Sequence, residues 1–506
     1  MSVRAASSDR FGAVVPRSGR PEVGDAREVR LLHSAEVERS IAQGPSTDAR
    51  ASRPADARSG TGATVAIGLA IAALLLVVYV VSNPSRTSYY NHFVWQAEAF
   101  LDGRAAIRYP VPDQPGVHGN DLFQDVIPTV GPNGEATGYG LLPFPPLPAV
   151  VLLPFVAIWG LATDAQLIAA FIGALDVAIA FWVLGYLPIG RRVRIATTLF
   201  LGLGTVLWYA AELGTTWYLA HVVAVGLTLL AIGLALAGDP WAAGGEPDRP
   251  PDPDAPTGLR LGLDRGQFVA GILFGLACTA RLTIVFGAPF FLFVGGGGSR
   301  TRRGISALVG MAIPLGLLVG YTWLSTGQLM NPGYDVLYRA ETASYPQLGY
   351  RADWAIEDPR YLVQNLPLFL VGLPSVLPPC ADGAMRGLFD AACPVIAPRD
   401  VGMGLFLTSP AWLIALASLR WLGRDRLVTG AAIAIVLIAI VDLMHFSQGW
   451  VQFGYRFSND YAPFGLLLLA LALEAGGRLR RLGYALIALS IAIVTWGVAW
   501  GHIFGW

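Results

Sequence analysis

The chain has 506 residues, 54% of them hydrophobic and 14% charged, with a formal net charge of +0 and a mean hydropathy of +0.53. Soluble domains are about 45–50% apolar and about 25% charged, so this composition excludes an ordinary soluble enzyme and defines a polytopic membrane protein. All 35 basic residues are arginine, which excludes chemistry built on a lysine amine, and they fall in short clusters between apolar runs, which argues against nucleic-acid readout.

Residues 1–60 are polar and rich in Arg, Ala, Ser, Asp and Pro, without the apolar core of a cleavable signal, so a disordered cytoplasmic tail is expected. The run 64–81 is the first span, and the arginines that precede it predict a cytoplasmic N-terminus. Next comes an outer loop, 83–164, that ends in an apolar run, 141–161. Prolines at 143, 145, 146, 148 and 154 argue against a regular helix through the first half of that run. Charge parity argues against its crossing, because Arg191, Arg192 and Arg194 would then face outward. The run is therefore expected to lie along the outer interface.

The remaining segments alternate. Spans are expected at 165–187, 195–210 and 218–237, followed by a low-complexity cytoplasmic linker, 238–266. Residues 267–294 must cross an even number of times, as two short spans meeting near Arg281. Span 305–325 leads to a second outer loop, 326–400, with a proline-interrupted apolar run at 362–377. Spans at 401–419, 427–446, 461–473 and 484–500 complete a count of about eleven, within a transmembrane domain over residues 61–506. Every arginine cluster then lies on one side. Cys380 and Cys393 share the second outer loop, where a disulfide would add about 3 kcal/mol in an oxidising compartment, the alternative being two buried thiols.

Residues suited to chemistry concentrate in the outer loops. Phe93, Val94, Ala97 and Leu101 recur at helical spacing, predicting an amphipathic helix on the membrane with His92 and Glu98 turned away from it. Asp121 and Asp125, four apart, would share a face of a short helix. Glu212 and His221 flank the outer turn LGTTWYLAH. Arg281 lies within a span, where a charge costs about 2.5–3.5 kcal/mol, so it is expected to be paired or functional; Asp176 is subject to the same reasoning. Arg456 and Asp460, also four apart, read as a pair in which the arginine holds an anionic lipid headgroup and the aspartate orients it. The alternative is an interfacial ion pair in an aromatic belt.

Five segments carry a resemblance: YYNHFVWQAEAFLDGR, GYGLLPFPPLPAVVLLPFVAIWG, GTTWYLAHVVAV, GMGLFLTSPAWLIAL and QFGYRFSNDYAPFGLLLLAL. Together they resemble bacterial GT-C glycosyltransferases of the protein-mannosyltransferase-like group, over residues 64 to about 500. The resemblance implies an all-α polytopic fold whose long first outer loop carries juxtamembrane helices. It also implies transfer of a hexose or pentose from a polyprenyl-phosphate donor to a glycan, lipid or protein acceptor, on the outer face of a bacterial plasma membrane. Many members carry an acidic pair directly after the first span, where this chain has Asn91 and His92. The role of base then passes to Glu98, Asp121 or Asp125, of which Asp125 best matches the family's acid upstream of the proline-rich helix. The leaving lipid phosphate needs a cation, supplied by Arg456, Arg281 or a bound divalent ion. A single base with direct displacement predicts inversion at the anomeric carbon. Trp95, Trp217, Tyr334 and Trp354 offer stacking surfaces for a sugar. A transporter or flippase and a non-catalytic polyprenyl-lipid-binding protein are the competing readings. The lack of an internal repeat counts against the transporter.

Overall fold

A computed structural model describes residues 61–84, 90–109, 125–239, 262–333, 335–336, 351, 353–377, 387, 394–399, 401–449 and 452–503. These lie in one of two units of the chain, Arg53–Trp506; the other, Met1–Ser52, is outside them, as are most of the linker, Asp121, Tyr334, Cys380 and Cys393. The disulfide expectation therefore falls outside the described residues.

The first long apolar helix is α1 (Thr61–Ser82), and the loop after it then forms α2 (His92–Leu101). A small antiparallel sheet follows, in the order β1 (Ile107–Arg108), β3 (Ala136–Leu141), β2 (Ile127–Val130). Such a sheet is an addition to the expected all-α plan. It is confined to the loop, where water and neighbouring strands satisfy its backbone. The proline-rich run becomes α3 (Leu147–Trp159). Its prolines at 143, 145 and 146 stay outside the helix, and its length of about 20 Å falls short of a hydrocarbon core of about 30 Å.

The bundle continues with α4 (Ala165–Val183), α5 (Arg191–Leu203), α6 (Leu207–Leu213) and α7 (Thr216–Ala237). Where one span was expected at 195–210, α5 and α6 meet at a bend of 49°. After the linker, α8 (Arg265–Cys278) ends at Thr279–Arg281, and a 3₁₀ segment, Leu282–Gly287, and α9 (Phe290–Phe293) run back. Arg281 is the extended residue between the two arms, so the chain breaks where a break was expected. The return arm is irregular because Pro289 removes a backbone donor. Next is α10 (Arg300–Thr326), packed on α8 so closely that a Cβ at Gly271 would lie 2.1 Å from the Ala307 carbonyl oxygen and one at Gly310 2.0 Å from that of Phe268. Small residues at this spacing let two apolar helices meet backbone to backbone.

The long loop after α10 forms α11 (Leu362–Val371) and a two-stranded sheet, β4 (Ser375–Val376) with β5 (Ile396–Ala397). The expected span 401–419 is instead α12 (Leu405–Thr408), α13 (Trp412–Ala415) and a 3₁₀ turn over Leu416–Trp421, broken at Pro410. Three helices close the chain: α14 (Arg426–Met444), α15 (Ser458–Glu474) and α16 (Gly477–Ile503). Among the described residues six helices are long and apolar enough to cross a membrane, seven if the bent pair α5–α6 counts as one span. The chain is a multi-pass membrane protein.

Helix α15 is the central post. Every residue from Ser458 to Leu473 is buried, as expected of a helix apolar on all sides. By contrast α1 and α10 expose Leu69, Val77, Leu317 and Leu324, the lipid-facing pattern of outer helices. Polar contacts fix one end of the bundle. Arg426 pairs with Asp239 at 3.1 Å, Asp239 accepts from the Gly295 amide at 2.8 Å, and Glu474 accepts from the Gly190 amide at 2.8 Å. The arginine-led starts of α5, α10, α14 and α16 therefore gather at one end. The first-loop helix, the Thr279–Arg281 break and the start of α15 gather at the other.

Candidate active site

The other end is built on the first turn of α7. Two non-glycine residues among those described have a left-handed backbone, Tyr90 (φ 57°) and Asp125 (φ 67°), and both converge on Trp217. The indole Nε1–H donates to Asp125 Oδ2 at 3.0 Å, and the Tyr90 ring lies 5.1 Å from the indole. Left-handed conformations cost of order 1–3 kcal/mol and persist where surroundings over-determine them, most often at functional sites. Asp125 is 3% exposed. It stands just before β2 with a left-handed backbone, which cannot continue a right-handed helix; the expected face shared with Asp121 involves a residue outside those described.

His92 is also corrected. It was expected on the wet side of an amphipathic helix, but it is buried, its ring 5.1 Å from Trp95, 5.6 Å from Phe144 and 6.0 Å from Trp217. The reason is the hydroxyl of Thr216, which donates to the Tyr90 carbonyl and accepts from the His92 backbone amide at 3.3 Å. It lies 2.6 Å from His92 Nδ1. A hydroxyl has one proton to give, so Nδ1 carries the hydrogen in this contact. Asn91 stands at the N-cap of α2 and is buried. Glu98 is partly exposed on α2, and among the described residues its side chain has no hydrogen bond or ion pair, so it is not drawn into this group. Glu212 is buried at the end of α6, its carbonyl accepting from Asn83 Nδ2 at 2.9 Å.

One turn along α7 a second group begins. His221 Nδ1 lies 2.7 Å from Asp460 Oδ1. Arg281 donates to Asp460 Oδ2 from Nη2 at 2.8 Å and from Nε at 3.2 Å, and the Thr283 hydroxyl donates to the same oxygen at 2.7 Å. An ionised carboxylate only accepts, so His221 carries its proton on Nδ1; Nε2 is buried without a partner. Asp442, at the end of α14, is buried close enough to Asp460 and Arg281 to interact with them electrostatically. The expected pairing of Arg456 with Asp460 is not made. Spacing by four places side chains together only inside a helix, and α15 begins at Ser458, two residues after Arg456. Arg456 instead lies against aromatic rings, its guanidinium 5.3 Å from Phe457 and 5.7 Å from Tyr218. The Arg281 guanidinium lies 5.2 Å from Phe457 as well.

Two further contacts close the site. The Leu147 amide donates to the Thr279 carbonyl at 3.3 Å, fastening the start of the proline-rich helix beside Arg281. The second outer loop is stitched to the end of α14: Asp358 donates its amide to Met444 O at 2.9 Å, and Asn365 Nδ2 donates to Leu443 O at 2.9 Å. In that loop burial would raise the Glu357 carboxyl, but the hydrogen bond and charge of His445 outweigh it and hold the group below its ordinary range. Trp354 packs on Tyr361 and Arg360, and Trp95 is buried. Asp176 is buried within α4 beside Gly226.

From the expected set the structure thus forms two groups on neighbouring turns of α7, Asp125 and His92 at Thr216 and Trp217, and His221, Asp460 and Arg281 one turn on, with Arg456 over Tyr218. Thr216, Thr283 and Asp442 were not anticipated. Asp442 carried the signal that singled out Arg281, an ionisable residue at the end of an apolar run. Among the described residues no group of three or more His, Cys, Asp or Glu side chains could hold a metal ion. No protein-family model, curated protein or solved structure matches the chain.

Proposed function

We propose that the chain is an integral-membrane glycosyltransferase of GT-C type that moves a sugar from a polyprenyl-phosphate donor to a cell-envelope acceptor. The carrying observation is that one stretch of α7 serves both kinds of group the reaction needs. Trp217 holds the Asp125 carboxylate, Tyr218 underlies the Arg456 guanidinium, and His221 meets the Asp460–Arg281 pair. In the reaction the acceptor oxygen attacks the anomeric carbon and its proton passes to Asp125. The sugar–phosphate C–O bond breaks, and the phosphate leaves as an anion beside a guanidinium. A single base of this kind inverts the anomeric centre.

The topology that goes with this reading has eleven spans. The six long helices and the bent pair are joined by Arg265–Cys278, Leu282–Phe293, the segment ending at Trp421, and α15, with Leu147–Ala162 lying along the interface. The site end is the outer face. Thiol labelling of intact cells should reach a cysteine placed by Glu135→Cys and spare one placed by Arg192→Cys; the reverse pattern would turn the protein over.

The activity test supplies radiolabelled polyprenyl-phosphate sugars and envelope acceptors to the protein in lipid. Transfer is expected for wild type and for Glu98→Gln. No transfer from any donor would leave the reading without support. One observation favours a transporter instead: the helix break at Arg281 with buried charges around it, a feature of substrate sites in secondary transporters. Substrate movement across sealed vesicles without sugar transfer would select that reading.

A further inference from the structure

At the arginine-led end of the bundle the starts of α5 and α16 leave a groove of about 360 Å³ between them. Arg192, Ala196 and Leu199 form one wall and Tyr484, Ile487 and Ile491 the other, each set spaced by three or four residues and so on one face of its helix. Ala488, in the second wall, is exposed, which leaves the groove open toward the bilayer. Beyond Arg192 and Tyr484 the walls are apolar as far as Leu199 and Ile491, about 10 Å of helix. The mouth of the groove is cationic and not neutralised. Glu474, at this corner, accepts from the Gly190 amide at 2.8 Å and lies 3.4 Å from Arg480. Arg194 donates to the Phe181 carbonyl at 2.6 Å, with its guanidinium 3.8 Å from the Phe181 ring. Among the described residues the side chains of Arg191, Arg192, Arg478 and Arg481 have no hydrogen bond or ion pair, and the Tyr484 hydroxyl has no hydrogen-bond partner. Arg481 stands three residues before Tyr484, on the same side of α16.

We infer that this groove holds an anionic glycerophospholipid, with an acyl chain along the apolar walls and the headgroup phosphate at Arg192 and Tyr484. The two kinds of contact select the ligand together. An apolar wall open to the bilayer takes the chain of any lipid, whereas each uncompensated guanidinium at the mouth favours an anionic headgroup by about fivefold near a membrane surface. The positive ends of the α5 and α16 dipoles add to that field. Free phosphate would meet the cations but leave the groove empty. A second copy of the chain docked here about a two-fold axis would bring its own arginines against these. The lipid bridges α5 and α16, so its binding stabilises the bundle as its concentration rises. Neither helix contributes a residue to the Asp125 or Asp460 groups, and the inference stands whether or not the chain transfers sugar.

Native mass spectrometry of the full chain, released from vesicles of phosphatidylglycerol and phosphatidylcholine mixed in equal amounts, tests this by identifying the lipids it retains. Wild type is expected to retain phosphatidylglycerol in preference, and Arg192→Gln to lower that preference about fivefold. Arg192→Lys keeps the charge and is expected to keep the preference. Ala488→Phe, a substitution at an exposed position, is expected to fill the groove and remove the retained lipid. The thermal midpoint is expected to rise with added phosphatidylglycerol in wild type and not in Ala488→Phe. Arg424→Gln alters an arginine that does not line the groove and is expected to change nothing. Equal loss of preference in Arg424→Gln would replace the site with a diffuse cationic end, and retention of both lipids alike by wild type would overturn the inference outright. Displacement of the lipid by glycerol phosphate would assign the mouth to a free anion. A change of oligomeric mass in Ala488→Phe would assign the groove to a second copy, and either result overturns the lipid.

Discussion

Asp460→Ala is expected to destabilise the folded bundle by about 3–5 kcal/mol, the loss typical when one member of a buried charge network is removed. The side chain is fully buried and accepts from Arg281, Thr283 and His221, groups from two other stretches of chain. Removing the carboxylate leaves the Arg281 cation without its counter-charge and the His221 Nδ1–H without an acceptor. Asp460→Asn keeps the acceptor for His221 and should cost less, because only the charge is lost. Reversible unfolding in mixed micelles measures both. An alanine variant as stable as wild type would mean that these three contacts do not tie the bundle together.

Asp125→Asn is expected to reduce sugar transfer about 10²–10⁴-fold while leaving the fold intact. Asparagine retains an oxygen for the Trp217 indole N–H and tolerates the left-handed backbone found at φ 67°. The substitution therefore removes basicity and little else. Steady-state rates together with the thermal midpoint make the comparison. A full rate with an unchanged midpoint would exclude Asp125 as the base and return the role to Asp121 or to a neighbour of His221.

Local signals carried the long apolar helices and the main break. The first span, the short proline-rich helix, the break at Arg281 and the long helices at 165–187, 218–237 and 427–446 follow from runs of apolar residues, proline positions and the parity of arginine clusters, each readable within about twenty residues. The irregular path from Val401 to Trp421 was not legible, because Ser409-Pro410 breaks a run whose average hydropathy looks like any other span.

The site was legible as a set of residues and not as a set of partners. Arg281 and Asp460 are 179 apart in sequence, and nothing local announces that they meet, whereas Arg456 and Asp460 are close in sequence and do not. Asp125 was picked out by its position before the proline-rich helix, but its bond to Trp217 spans 92 residues and depends on how the loop closes over α7. His92 was misplaced because the helical pattern of α2 identified one apolar face, while the fold covers nearly all of that helix.

The order in which the ribosome delivers these groups has a consequence for biogenesis. Arg281 is synthesised 179 residues before Asp460, a delay of roughly 10–35 s at about 5–20 residues per second. For that interval the growing chain holds a cation at a helix break with no counter-charge, and the hole later filled by α15 is open. Nascent chains that stall before residue 458 thus lack the carboxylate that pairs with Arg281.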